Sequence, residues 1–316
     1  MAFRTFIKTQ KRNIINMPKD KTNLAIIIVL IAGTFWSFGA LVVRYIEDAR
    51  NVPWQYVFFR GITIFLLLNF YLFLKEGKSF LNNYSKIGLS GVIGGVSLGS
   101  AMMCFIWSIT HTSAAVTLLM LAAMPFITAI LGYFILKEKI SITTFTAIII
   151  AAIGIFFMAS NSNKIGTLFG LLVGLMSAVG FSIFSVSLRW RKETPKFTTV
   201  AIAGLFCAIF SSLVLTFSDA NFLTTFRNSS LSALHGFIVC GGLILYSIGS
   251  KELPAADLTL LSLTEVIGGI FWVWLPIFGI NEIPSENTII GGVIITFAIF
   301  YYSFFIKRNR RFIGLN

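Results

Sequence analysis

The chain has 316 residues, 56% of them hydrophobic and only 12% charged, with a mean hydropathy of +0.87. So little charge cannot cover the surface of a water-soluble protein of this length, so the composition excludes a soluble enzyme or binding module and points to a bilayer. The formal net charge of +13, from 25 Lys and Arg against 12 Asp and Glu, is compatible with nucleic-acid binding when taken alone, but its distribution along the chain argues for membrane orientation instead.

A basic segment, residues 1–23, holds Arg4, Lys8, Lys11, Arg12, Lys19 and Lys21. The apolar run that follows is too long for a signal peptide and lacks a small-residue cleavage site, so it is expected to stay as an anchor. A hydrocarbon core about 30 Å thick takes roughly 20 apolar residues per helix. Runs of that kind lie near residues 24–46, 54–74, 87–109, 113–136, 140–160, 166–188, 197–217, 231–248, 256–279 and 287–306, and a basic tail, 307–316, closes the chain. The longest connection, 218–230, is too short for a folded domain, so function is expected within the helix bundle.

With the N-terminus inside, twenty Lys and Arg fall on the cytoplasmic side and three, Arg50, Lys164 and Arg227, on the other. That asymmetry predicts a multi-pass protein of the cytoplasmic (inner) membrane with both termini cytoplasmic. It also assigns the excess charge to anionic headgroups rather than nucleic acid.

An internal repeat is visible. Glu138, Ser141 and Thr144 recur as Glu282, Ser285 and Thr288, and Ser37 with Arg44 recurs as Ser182 with Arg189, at offsets of 144 and 145 residues. A five-helix unit duplicated in tandem must be inverted, because five is odd. The expected fold is an all-α polytopic membrane protein with ten transmembrane helices as two inverted five-helix repeats, residues 24–160 and 161–306.

Seven features stand in order along residues 24–306: Trp36-Ser37-Phe38-Gly39, Trp54 through Arg60, Pro125 ahead of Glu138, Leu263-Thr264-Glu265-Val266, Trp272 through Leu275, Glu282-Ile283-Pro284-Ser285 and Gly291-Gly292. In these the chain resembles the ten-helix EamA-type branch of the drug/metabolite transporter superfamily. Pro276, and a longer stretch between Glu265 and Glu282 than is usual in such proteins, depart from that pattern. The resemblance implies transport of a small molecule across the cytoplasmic membrane.

Glu265 falls near the midplane of its span, where an ionisable group costs about 2.5–3.5 kcal/mol and usually faces a polar interior. It reads as a contact for a substrate amine, as a proton-coupling carboxylate, or as a structural bond between helices. Arg60 reads as a substrate-carboxylate contact, an ion-pair partner of Glu265, or a snorkelling cation. Trp36, near mid-membrane, reads as an apolar wall or cation-binding face. The other tryptophans fall at span ends, as in an aromatic belt. Pro125 is a hinge or a simple bend, and Glu138 and Glu282 are stabilising contacts or gates. Ser141 and Ser285 read as N-caps, and Arg44 and Arg189 as interfacial anchors.

Gly91, Gly95 and Gly99, and Gly166, Gly170 and Gly174, recur every four residues and read as close-packing faces, within a monomer or between the copies of a homodimer. Cys104, Cys207 and Cys240 are expected as free thiols, and His111 and His235, near outer span ends and without a partner motif, are assigned no catalytic role. No metal or cofactor is expected, and no Walker motif supplies nucleotide hydrolysis. The leading reading is a secondary carrier, not an enzyme, that moves a small polar metabolite such as an amino acid, outward by preference. An intramembrane enzyme acting on lipid would need clustered His, Asp or Cys at one membrane face, and a non-transporting assembly protein would show no substrate counterflow.

Overall fold

The computed structural model describes residues 19–159, 168–191 and 193–312. Ten helices cross the bundle: α1 (Lys19–Arg44), α2 (Pro53–Glu76), α3 (Gly88–His111), α4 in two pieces (Ala114–Leu121 and Met124–Leu131), α5 (Ile142–Ala159), α6 (Leu168–Trp190), α7 (Lys196–Phe217), α8 (Phe226–Gly249), α9 in two pieces (Ala255–Leu261 and Thr264–Trp274) and α10 (Glu286–Phe312). Among the described residues nine of these are long and apolar enough to span a membrane, and α5 supplies a shorter apolar helix over Ile142–Phe157. Gly166 lies outside the described residues.

The closest packing always joins one half to the other. α3 lies on α6 and α1 on α8; α3 meets α7 and α2 meets α8; α4 meets α6 and α1 meets α9. Exchanging α1–α5 with α6–α10 turns each pair into the next. The other extensive contacts between the halves, α2 with α7, α5 with α10 and α4 with α9, map onto themselves. This is the architecture of an inverted repeat around a pseudo-two-fold axis.

Glycines permit the self-paired crossings. A Cβ on Gly61 would lie 2.8 Å from the Gly204 carbonyl oxygen, and one on Gly204 would lie 2.7 Å from that of Gly61, so the two backbones touch where α2 crosses α7. Gly91, Gly95 and Gly99 face Thr194, Ile202 and Phe206, while Gly174 faces Ser108 and Met120. Gly91, Gly95, Gly99 and Gly174 thus lie against other segments of the same chain.

Both α4 and α9 break midway. In α4, Pro125 has no amide hydrogen to donate, and the chain makes a tight turn through Ala122 and Ala123 before the helix resumes. In α9 no proline is present. There the Ser262 hydroxyl donates to the Thr259 carbonyl at 2.9 Å and Thr264 donates to Leu261 at 3.1 Å, drawing carbonyls away from the helical ladder. The sequence pattern placed α9 as one span reaching 279, but it ends at Trp274. Leu275 is extended, and a 3-10 turn over Pro276–Phe278 follows.

Candidate functional site

Two ion pairs tie the halves together at opposite ends of the broken helices. After α4, Lys137 takes a left-handed conformation (φ 55°) and turns the chain toward Glu138. Glu138 Oε1 accepts from Arg189 Nε at 2.6 Å, and Oε2 accepts from the Ala255 amide, the first residue of α9, at 3.0 Å. Arg189 also donates to the Ser250 carbonyl beyond α8 at 2.8 Å.

The counterpart at the other end has the same parts. Glu282 pairs with Arg44 Nε and accepts from the Ala114 amide, the first residue of α4, at 3.2 Å; Arg44 donates to the Ile109 and Thr112 carbonyls at 2.9 and 3.1 Å. Each glutamate thus places negative charge at the N-terminus of the other half's broken helix, where the helix dipole favours it. Arg44 and Arg189 are therefore interhelical ties, not the membrane-surface anchors their positions suggested. Ser141 and Ser285 do act as N-caps, accepting from Thr144 N at 3.0 Å and Thr288 N at 3.2 Å. This accounts for both ends of the repeated Glu-Ser-Thr pattern.

Between the two halves lies a small cavity of about 60 Å³. Trp36, Arg60 and Glu265 all line it, together with Phe181 of α6 and with Leu121 and Met124, which flank the α4 break. Most of its surface is apolar side chain, so the few polar groups would orient whatever enters.

Arg60 is 2% exposed and does not snorkel. Its Nη2 donates to the Met102 carbonyl at 2.6 Å, its guanidinium lies 5.9 Å from the centre of the Tyr56 ring, and its Nε has no hydrogen-bond partner. Glu265, in the first turn after the α9 break, is half-buried. Arg60 and Glu265 form no ion pair among the described residues, although each charge acts on the other. A basic and an acidic side chain therefore share one apolar cavity without pairing with each other.

Trp36 is 5% exposed, donates to the Val239 carbonyl at 3.3 Å, and has the Phe181 and Tyr246 rings each 5.3 Å away. Trp272 leaves the expected aromatic belt: its Nε1 donates to Ser37 at 2.8 Å and its ring stacks on Phe38 at 4.6 Å. His235, given no role from its sequence position, is a cavity residue. Helix α8 starts at Phe226, five residues before the apolar run does, which puts His235 well inside the bundle rather than at its rim. Its contact with Tyr56 was not readable from spacing within either helix.

The three thiols are free, with Cys207 and Cys240 buried. No group of three His, Cys, Asp or Glu among the described residues could hold a metal.

Residues 23–160 match the EamA-like transporter family. An uncharacterized transporter of Helicobacter pylori (strain ATCC 700392 / 26695) is 28% identical over 204 residues, 63% of this chain and 66% of that protein, so the chain spans just under two thirds of its length. The pseudopaline exporter CntI of Pseudomonas aeruginosa (strain UCBPP-PA14) is 26% identical over 280 residues, 86% of this chain and 93% of that protein. A solved crystal structure superposes with a TM-score of 0.67 at 18% identity, covering 90% of this chain and 98% of the other, a likeness of fold.

Proposed function

From the match of residues 23–160 to the EamA-like transporter family, we propose that the chain is a secondary transporter that moves a small polar metabolite, an amino acid or a related compound, across the cytoplasmic membrane by alternating access, in the direction of export. The observation that carries this reading is the presence of Arg60 and Glu265, unpaired with each other, in the wall of one apolar cavity beside two broken helices. An uncompensated buried charge costs several kcal/mol. A molecule bearing both an anionic and a cationic group would satisfy both residues at once, with its apolar part against Trp36 and Phe181.

In this reading the Glu138–Arg189 and Glu282–Arg44 pairs are the inner and outer gates, and the breaks at Pro125 and ahead of Glu265 are the hinges. Both termini are cytoplasmic, and the substrate gradient or proton exchange at Glu265 supplies the drive. The halves 24–160 and 161–306 are the two elements that rock, within a monomer or in each copy of a homodimer.

Counterflow in liposomes tests the reading. Purified protein preloaded with unlabelled amino acids, nucleosides or organic cations is expected to accumulate labelled amino acid transiently. No counterflow with any member of the panel overturns it.

A further inference from the structure

The imidazole of His235 plays no part in the reading above, yet it stands in the same cavity wall. It lies nine residues into α8, about 14 Å from the helix start at 1.5 Å per residue, and is 2% exposed. Its Nδ1 forms a hydrogen bond with the Tyr56 hydroxyl, and the ring of Tyr56 also carries the Arg60 guanidinium. That hydroxyl has no other partner among the described residues. With the phenol as donor, Nδ1 accepts and the imidazole proton sits on Nε2, the tautomer the proposal below uses. Nε2 itself has no hydrogen bond to any described residue. Beside it α1 carries Gly39, and a Cβ there would lie 2.6 Å from Nε2, so the absence of a side chain at 39 makes room for the imidazole.

Arg60 stands in the same wall with only its Nη2 hydrogen-bonded, to the Met102 carbonyl. Tyr56 lies between the two, bonded to His235 and with its ring centre 5.9 Å from the Arg60 guanidinium. We propose that His235 determines specificity in the cavity: its Nε2–H and the Arg60 guanidinium together receive the two oxygens of a carboxylate on the transported molecule. The inference rests on the transporter reading and deepens it. The guanidinium alone would attract any anion. A second, neutral donor fixed by Tyr56 adds a directional requirement that a planar two-oxygen group meets and an amide does not.

The test is binding of L-leucine and L-leucinamide to the purified full-length chain, followed by tryptophan fluorescence. A hydrogen bond to a charged group is worth about tenfold or more in affinity. Wild type is expected to favour L-leucine over L-leucinamide by about that factor. His235→Ala is expected to lose about tenfold for L-leucine while leaving L-leucinamide within about twofold. His235→Gln, which supplies an N–H of similar reach, recovers most of the loss. Tyr56→Phe frees Nδ1 and gives a partial loss, and serves where His235→Ala does not fold. Wild-type discrimination retained in both His235→Ala and Tyr56→Phe, but lost in Arg60→Gln, overturns the inference and leaves the transporter reading standing. Failure of wild type to bind either compound overturns both.

Discussion

Glu265 holds in α9 the place that Pro125 holds in α4: each is the second residue after its broken helix resumes. The two halves use that position differently, one to enforce the break by removing an amide donor, the other to set a carboxylate in the central cavity. The cavity is chemically asymmetric at this symmetric position.

Glu265→Gln keeps the volume of the side chain and removes its charge. Transport by reconstituted protein is expected to fall at least about tenfold, the scale of one charge-assisted bond, and whatever pH dependence the wild-type rate has is expected to flatten. Arg60 and His235 are the other ionisable groups of the cavity wall, so Arg60→Gln and His235→Gln are measured alongside. A rate and pH profile unchanged in Glu265→Gln would remove it from the transport cycle.

The two ionic ties make opposite predictions. In a cysteine-free background with Ala101→Cys in the cavity wall, Glu282→Gln is expected to raise labelling by a membrane-impermeant maleimide added outside, and Glu138→Gln to raise labelling added on the cytoplasmic side. Each ion pair is partly buried, with side-chain exposures of 20% and 29% for Arg44–Glu282 and 23% for both partners of Arg189–Glu138. Loss of one is worth about 1–3 kcal/mol, enough to change side-specific labelling severalfold. Equal labelling of both variants from both sides would deny them separate gating roles.

Glycine substitutions separate packing from space. Gly61→Leu and Gly204→Leu force side chains into a backbone crossing and are expected to destabilise by about 1–3 kcal/mol or to prevent folding. Gly292, where a Cβ would meet nothing within 4 Å, is expected to accept alanine within about 0.5 kcal/mol. Thermal unfolding in detergent measures both, and similar midpoints for Gly61→Leu and Gly292→Ala would refute the close crossing.

Pro125→Ala restores an amide to α4. Transport is expected to fall while the unfolding midpoint holds or rises, because a more continuous helix is the more stable local structure. A fall in both together would mark Pro125 as structural only.

Much of this was legible in the sequence because a bilayer converts hydropathy directly into helices, and the alternation of Lys and Arg converts loops into sides. Trp36, Arg60 and Glu265 stood out for the same reason: polar or bulky groups inside apolar runs need partners. The α9 break was hidden because Ser262 and Thr264 cause it through side-chain bonds to carbonyls, a choice those residues make only in context. His235 was misjudged because α8 begins with the polar stretch Arg227 to Ser230, which hydropathy counts as loop. The Arg44 and Arg189 ties join residues 238 and 51 positions apart from their glutamates, beyond the reach of local pattern.

The packing of α3 on α6 and of α1 on α8 has a further consequence. Neither half builds its own core; each uses the other as two antiparallel protomers of a dimer would, joined end to end by one connection. A chain severed between α5 and α6 and produced as two pieces together is therefore expected to reassemble, while either piece alone is left with its principal helix faces against lipid or against an upside-down copy of itself.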